Sequence, residues 1–252
     1  MRSSETGPLH MTPLGRRTWG ALAICGGALA ALSIGIALFS PRTLPFVLVG
    51  LVLYAVIAAT VAMRIAAFHP HDRFGFPNVA TLLRGTVACL CLALSLEALI
   101  LEPLGATASW LLFGVATAAA ALDALDGWAA RRQGLLSRFG ARFDMEMDAL
   151  FILSLSALAL GQGKAGPWIL LAGLMRYAFF LAGHFFPAME RPLPPAWRRK
   201  AICVLAVVGL VLMLPPVVSP FAATVLGLVV ILSLIWSFGV DSLWLIRHRG
   251  DA

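Results

Sequence analysis

The sequence predicts an all-α, polytopic integral membrane helical bundle of eight spans, and three observations predict it. Of the 252 residues, 60% are hydrophobic and 12% charged, with a mean hydropathy of +0.91, a balance far from that of a soluble domain. Eight stretches approach the about 20 apolar residues that a hydrocarbon core needs per helix: 18–39, 44–65, 79–101, 106–129, 145–162, 166–187, 201–217 and 220–246. Counted by alternate sides, sixteen of the nineteen lysines and arginines fall to one face, Arg64 and Arg84 at the span ends among them, with Arg42 and Lys164 on the other and Arg176 deep inside a span. Positive loops stay cytoplasmic, so an even number of spans with both termini inside is expected.

The net charge of +7 thus describes a basic membrane face, suited to anionic headgroups or phosphorylated ligands. With no compact basic domain outside the membrane, a nucleic-acid partner is excluded. Cys25, Cys89, Cys91 and Cys203 fall in spans without metal or disulfide spacing and read as small buried hydrophobes. The first span lacks a small-residue cleavage pattern and reads as a retained helix.

Residues 1–17 read as a disordered tail. The hairpin of the first two spans turns at Ser40, Pro41 and Arg42, holds almost no ionisable residues, and reads as a packing or dimerisation element. Residues 64–78 mix aromatics, charges and two prolines, which suits an interfacial course; His69 and His71, without further ligands nearby, favour that reading over a metal pair. Asn78, after Pro77, is placed to N-cap the third span. Asn78, Thr81 and Arg84, three apart, also form one polar stripe on that helix, suited to a phosphate.

The fourth span ends in Asp123 and Asp126 on one face. Two neighbouring carboxylates repel each other and the helix C-terminus opposes negative charge, so a divalent cation would relieve both penalties. The fifth begins near Gly140 and carries Asp144 and Asp148 at i and i+4, below the headgroups, where ionisable groups mark function. Two helices with a carboxylate pair each make an oxygen cage for hard cations. Glu146 points elsewhere and reads as a solvated acid.

Arg176 lies deep in the sixth span, at about the depth of Asp148, and the two are expected to face a shared polar cavity, either as an ion pair or as a headgroup contact. Arg198, Arg199 and Lys200 open the seventh span, as positive-inside anchors or contacts for an anionic substrate. Asp241, near the inner end of the eighth, is placed to pair with nearby arginines.

The run Asp123-x2-Asp126-Gly127-x2-Ala130-Arg131-x8-Gly140-x3-Asp144-x3-Asp148 resembles the full signature of the CDP-alcohol phosphotransferases, integral membrane enzymes of phospholipid headgroup synthesis. The stripe Asn78, Thr81 and Arg84 resembles the motif opening that family's core, and the stretch before it resembles the family's juxtamembrane helix. The resemblance covers residues 68–252, a six-helix catalytic core, and leaves residues 1–67 as a tail and an added hairpin. It implies two Mg²⁺ or Mn²⁺ ions on Asp123, Asp126, Asp144 and Asp148, with Asp148 also the general base. Nucleotide and diphosphate contacts are implied for Asn78, Thr81, Arg84, Gly127, Ala130, Arg131 and Gly140.

Arg142, Arg176, Arg198 and Arg199 are candidate acceptor contacts. The implied reaction moves a phosphatidyl group from CDP-diacylglycerol to a small polar alcohol, releasing CMP, in a homodimer embedded among membrane lipids, with its site on the cytoplasmic face of the inner membrane. The reverse use, a soluble CDP-alcohol donating to diacylglycerol, is the enzymatic alternative. Cation transport is a remote one, because inverted repeats and broken helices are not evident.

Overall fold

A computed structural model describes residues 13–39, 44–133, 137–186, 191 and 193–248, with side chains apart from those of 13, 39, 44, 66 and 123–133. Among the described residues it is all helical: α1 (Pro13–Phe39), α2 (Leu44–Phe68), α3 (Gly75–Ile100), α4 (Ala106–Gln133), α5 (Arg138–Gly161), a short 3-10 helix (Pro167–Leu170), α6 (Leu171–Phe185), α7 (Trp197–Leu212) and α8 (Pro220–Arg247). Five segments are long and apolar enough to cross a membrane: Leu14–Leu38, Pro45–Ile65, Gly75–Ile100, Pro167–Phe185 and Pro220–Arg247. Ala106–Leu122 is a shorter apolar helix. The chain is a multi-pass membrane protein. The expected eight spans correspond in place to α1–α8; α5 and α7 do not qualify on length and apolarity, and α4 is apolar over Ala106–Leu122, the part of it whose side chains are described. α7 has 16 residues, roughly 24 Å at 1.5 Å per residue, and the first turns of α5 carry the charged residues of the signature.

The ends differ from the expectation for local reasons. α1 takes in Pro13 to Arg17, which were expected in the tail; a proline in the first turn costs no hydrogen bond. The rest of that tail lies outside the described residues. Residues 64–68 continue α2, and 69–74 form a bend rather than an interfacial helix. α3 then starts at Gly75, at φ 79°, where a side chain would be strained. Asn78 is therefore inside the first turn and is not the N-cap; its Nδ2 donates to Phe74 O at 2.5 Å. α5 is capped by Ser137, whose Oγ accepts from Gly140 N at 2.9 Å. It ends at Gly163, at φ 65°, with Gly163 N donating to Leu160 O and Lys164 N to Ala159 O, the Schellman pattern. Lys164 Nζ then donates to Pro215 O and Val218 O, tying that turn to the one between α7 and α8. Burial lowers its pKa, because the charged form loses water.

Small residues bring the helices together, as they must where lipid supplies no hydrophobic force between them. A Cβ on Gly161 would stand 2.9 Å from Ser95 O, fixing the α3–α5 crossing, and one on Gly173 would enter the Leu153 backbone, fixing α5–α6. Buried Thr86, Ser95, Ser154 and Ser156 bond back to carbonyls of their own helices, so they need no partner across the bundle. α3 and α7 each pack against both α4 and α5. These four helices close a ring, and the signature residues stand on two of its members. The α1–α2 hairpin covers α3 from outside: Tyr54 Oη donates to Leu22 O at 2.7 Å within it, and Gly50 and Ile57 of α2 lie near Ala93 and Gly85 of α3.

Candidate active site

α3 and α5 supply the described part of the site. Asp144 and Asp148, one turn apart, both reach Arg84: its Nη2 lies 2.6 Å from Asp144 Oδ1 and 2.9 Å from Asp148 Oδ1. Thr81 Oγ1 donates to Pro77 O at 3.0 Å and reaches Asp144 Oδ1 at 3.4 Å. The arginine side chain is 2% exposed, the two aspartates 43% and 25%. A buried guanidinium cannot shed its charge, so it gathers two carboxylate oxygens at one nitrogen and leaves their outer sides open. A charge-assisted contact of this length is worth about twice a neutral one.

The polar stripe of α3 is thus turned towards α5. Asn78, Thr81 and Arg84 are all buried, and the guanidinium expected to meet a phosphate meets the carboxylates. At Gly140 the absent side chain makes room for α3: a Cβ there would stand 3.0 Å from Asn78 Oδ1 and 3.1 Å from Ser137 Oγ. From α7, Cys203 Sγ approaches Asp148 Oδ2 at 3.9 Å. Cys25, Cys89 and Cys91 are buried as expected, while Cys203 is only half-buried beside the carboxylate pair.

The side chains of Asp123, Asp126, Gly127, Ala130 and Arg131 lie outside the described residues; their backbone belongs to the last turns of α4. Among the described residues no group of three or more His, Cys, Asp or Glu stands together. Asp144 and Asp148 provide two hard oxygen donors with open sides, which fits a divalent cation in chemistry, and the remaining donors would have to come from α4.

The arginines proposed for an acceptor stand elsewhere. Arg176 pairs with Glu146, Nη2 to Oε1 at 3.1 Å, and Arg142 Nε reaches the same oxygen at 3.2 Å. Glu146 lies two residues from each aspartate, and so on nearly the opposite face of α5. The cavity there, about 240 Å³, is lined by Arg142, Glu146, Arg176, Tyr177 and Phe180. Arg176 therefore does not share a cavity with Asp148 as expected, and Glu146 is the partner of two arginines rather than a solvated acid. Arg198 and Arg199 meet Asp241 of α8 at 2.5 and 3.2 Å, as the sequence suggested for that aspartate. Arg198 also donates to Ser237 O and Oγ and lies over the Trp236 ring.

The sequence reading missed Cys203, Ser137 and His69. For Ser137 a signal existed: a serine opening a helix three residues before a free N–H is an N-cap pattern. His69 and Cys203 meet their partners across sequence separations of 68 and 55, which no local pattern reports.

A family model for CDP-alcohol phosphatidyltransferase matches residues 74–238. No curated protein and no solved structure gives a match.

Proposed function

The chain belongs to the CDP-alcohol phosphatidyltransferase family, and on that premise we propose that it transfers a phosphatidyl group from CDP-diacylglycerol to a small polar alcohol at the cytoplasmic face of the membrane. The observation that carries the reading is the convergence of Asp144 and Asp148 on Arg84, inside the helix ring and within the span of the family match. The lipid donor follows from likeness to bacterial-type members of this length.

Each group has a part that its position supports. Arg84 and Thr81 hold the carboxylates in place from behind, which makes them positioning residues. Asp148 accepts the proton of the attacking hydroxyl. That hydroxyl oxygen forms a bond to the phosphatidyl phosphorus, the bond from this phosphorus to the bridging diphosphate oxygen breaks, and CMP leaves with the electron pair. Two Mg²⁺ or Mn²⁺ ions held by Asp123, Asp126, Asp144 and Asp148 would supply charge neutralisation on the diphosphate. The nucleotide would lie against the Gly127, Ala130 and Arg131 turns of α4. Seating the alcohol beside Asp148 turns a bimolecular attack into a positioned one.

The test is to incubate purified protein with labelled CDP-diacylglycerol, Mg²⁺ and a panel of alcohols, and to follow CMP and a new lipid. CMP release that depends on one alcohol supports the reading. Reaction only between a CDP-alcohol and diacylglycerol would reverse the donor assignment.

A further inference from the structure

We propose that His69 is a positioning residue for the carboxylate pair, clamping the end of the added hairpin to the first turn of α5. The hairpin, which the family match leaves out, would thereby set the seat of Asp144 and Asp148. The catalytic consequence rests on the transfer reading above; the clamp itself does not.

His69 is 5% exposed and uses both ring nitrogens and its backbone N–H at the joint. Its backbone N–H donates to Ile65 O at 3.0 Å, fastening it to the last turn of α2. Its Nε2 lies 2.8 Å from Arg73 O. A carbonyl only accepts, so Nε2 carries a proton, and in the neutral imidazole the bare Nδ1 then accepts the Ser137 hydroxyl at 2.9 Å. Ser137 Oγ in turn accepts Gly140 N–H at 2.9 Å as the cap of α5. The cap hydroxyl thus donates in one direction and receives in another, and its rotation is fixed by the imidazole. The Phe139 ring stands edge-on to His69 at 6.0 Å and stacks on Phe143 at 5.5 Å.

This first turn is also a place where α5 comes close to α3, at Gly140 and Asn78. Asp144 follows Gly140 by about one turn, roughly 6 Å along the axis. Releasing the cap lets that turn shift against α3, and the carboxylates shift with it away from Arg84 on one side and Cys203 on the other.

Cys203, beside Asp148, reports such a shift without any ligand. Full-length protein in detergent, as wild type, His69→Ala, His69→Asn and Ser137→Ala, is exposed to a maleimide and the labelled cysteines are read by mass spectrometry. Asparagine places an amide oxygen about where Nδ1 stood, so it can still accept from Ser137. The expected result is faster labelling of Cys203 in His69→Ala and Ser137→Ala, wild-type labelling in His69→Asn, and Cys25, Cys89 and Cys91 unreactive throughout. An unchanged Cys203 rate in His69→Ala, a change that asparagine does not reverse, or labelling of all four cysteines would overturn the clamp. In parallel, His69→Ala should lower kcat with little change in KM for the alcohol. If wild type releases no CMP with any alcohol, the transfer reading fails, while the labelling still decides the clamp.

Discussion

The shortest chain of cause at this site runs through single side chains. If Asp148 takes the hydroxyl proton, Asp148→Asn should cut turnover by about 10²- to 10⁴-fold, the usual worth of a general base, while the nucleotide still binds. An active variant would remove Asp148 from that role. Arg84→Ala tests the support behind it. Losing a buried charged donor costs about 1.5–3 kcal/mol, to be seen as a lower melting temperature in detergent, and the two carboxylates then face each other with nothing between them. That Asp144 and Asp148 share a face was legible, because i, i+4 on one helix is read directly from the chain. The contact behind them was not legible, since the spacing of Asn78, Thr81 and Arg84 suits a phosphate as well, and only the helix crossing turns Arg84 onto a carboxylate 60 residues away. Glu146 was misread for the same reason, its two arginines being one local and one on α6.

At the scale of elements, hydropathy located the α-helices among the described residues and misplaced several ends. It records the part of a helix that lies in lipid, whereas α5 begins seven residues before the expected apolar stretch because Ser137 caps a charged turn. Helix packing leaves less of a trace in sequence, and two substitutions separate crossings from open faces. Gly173→Ala places a Cβ into the Leu153 backbone and should destabilise by about 1–3 kcal/mol. Gly114→Ala, with nothing within 4 Å, should stay within about 0.5 kcal/mol. Thermal unfolding in one detergent compares both, and equal losses would mean that α5 and α6 do not cross at Gly173. Arg198→Ala distinguishes two uses of a basic cluster. As the α7–α8 tie to Asp241, which is only 8% exposed, it should lose about 1.5–3 kcal/mol with KM for the alcohol unchanged; a raised KM at full stability would return Arg198 to the acceptor site.

The whole molecule joins a lipid-facing exterior to one charged end, and its sidedness is a consequence that can be measured. α3, α4, α5 and α7 form their ring in an order that no span-by-span reading yields, because neighbours in the bundle are not neighbours in the chain. Yet the ring places the carboxylates at the end where the basic loops gather, for α5 starts there with Arg138 and Arg142, and α7 with Arg198, Arg199 and Lys200. The sequence assigns sixteen cationic residues to one side against Arg42 and Lys164 on the other, and such a split should fix that end in the cytoplasm, since translocating each cluster opposes the membrane's insertion bias. Cysteines introduced singly at positions 42 and 164 should react with a membrane-impermeant maleimide in intact cells. Cysteines at 73, 138 and 247 should react only after the membrane is opened. The reverse pattern would put Asp144 and Asp148 on the side away from cytoplasmic nucleotide, and a transferase that draws on a CDP-activated lipid with its headgroup in the cytosol could not work from there.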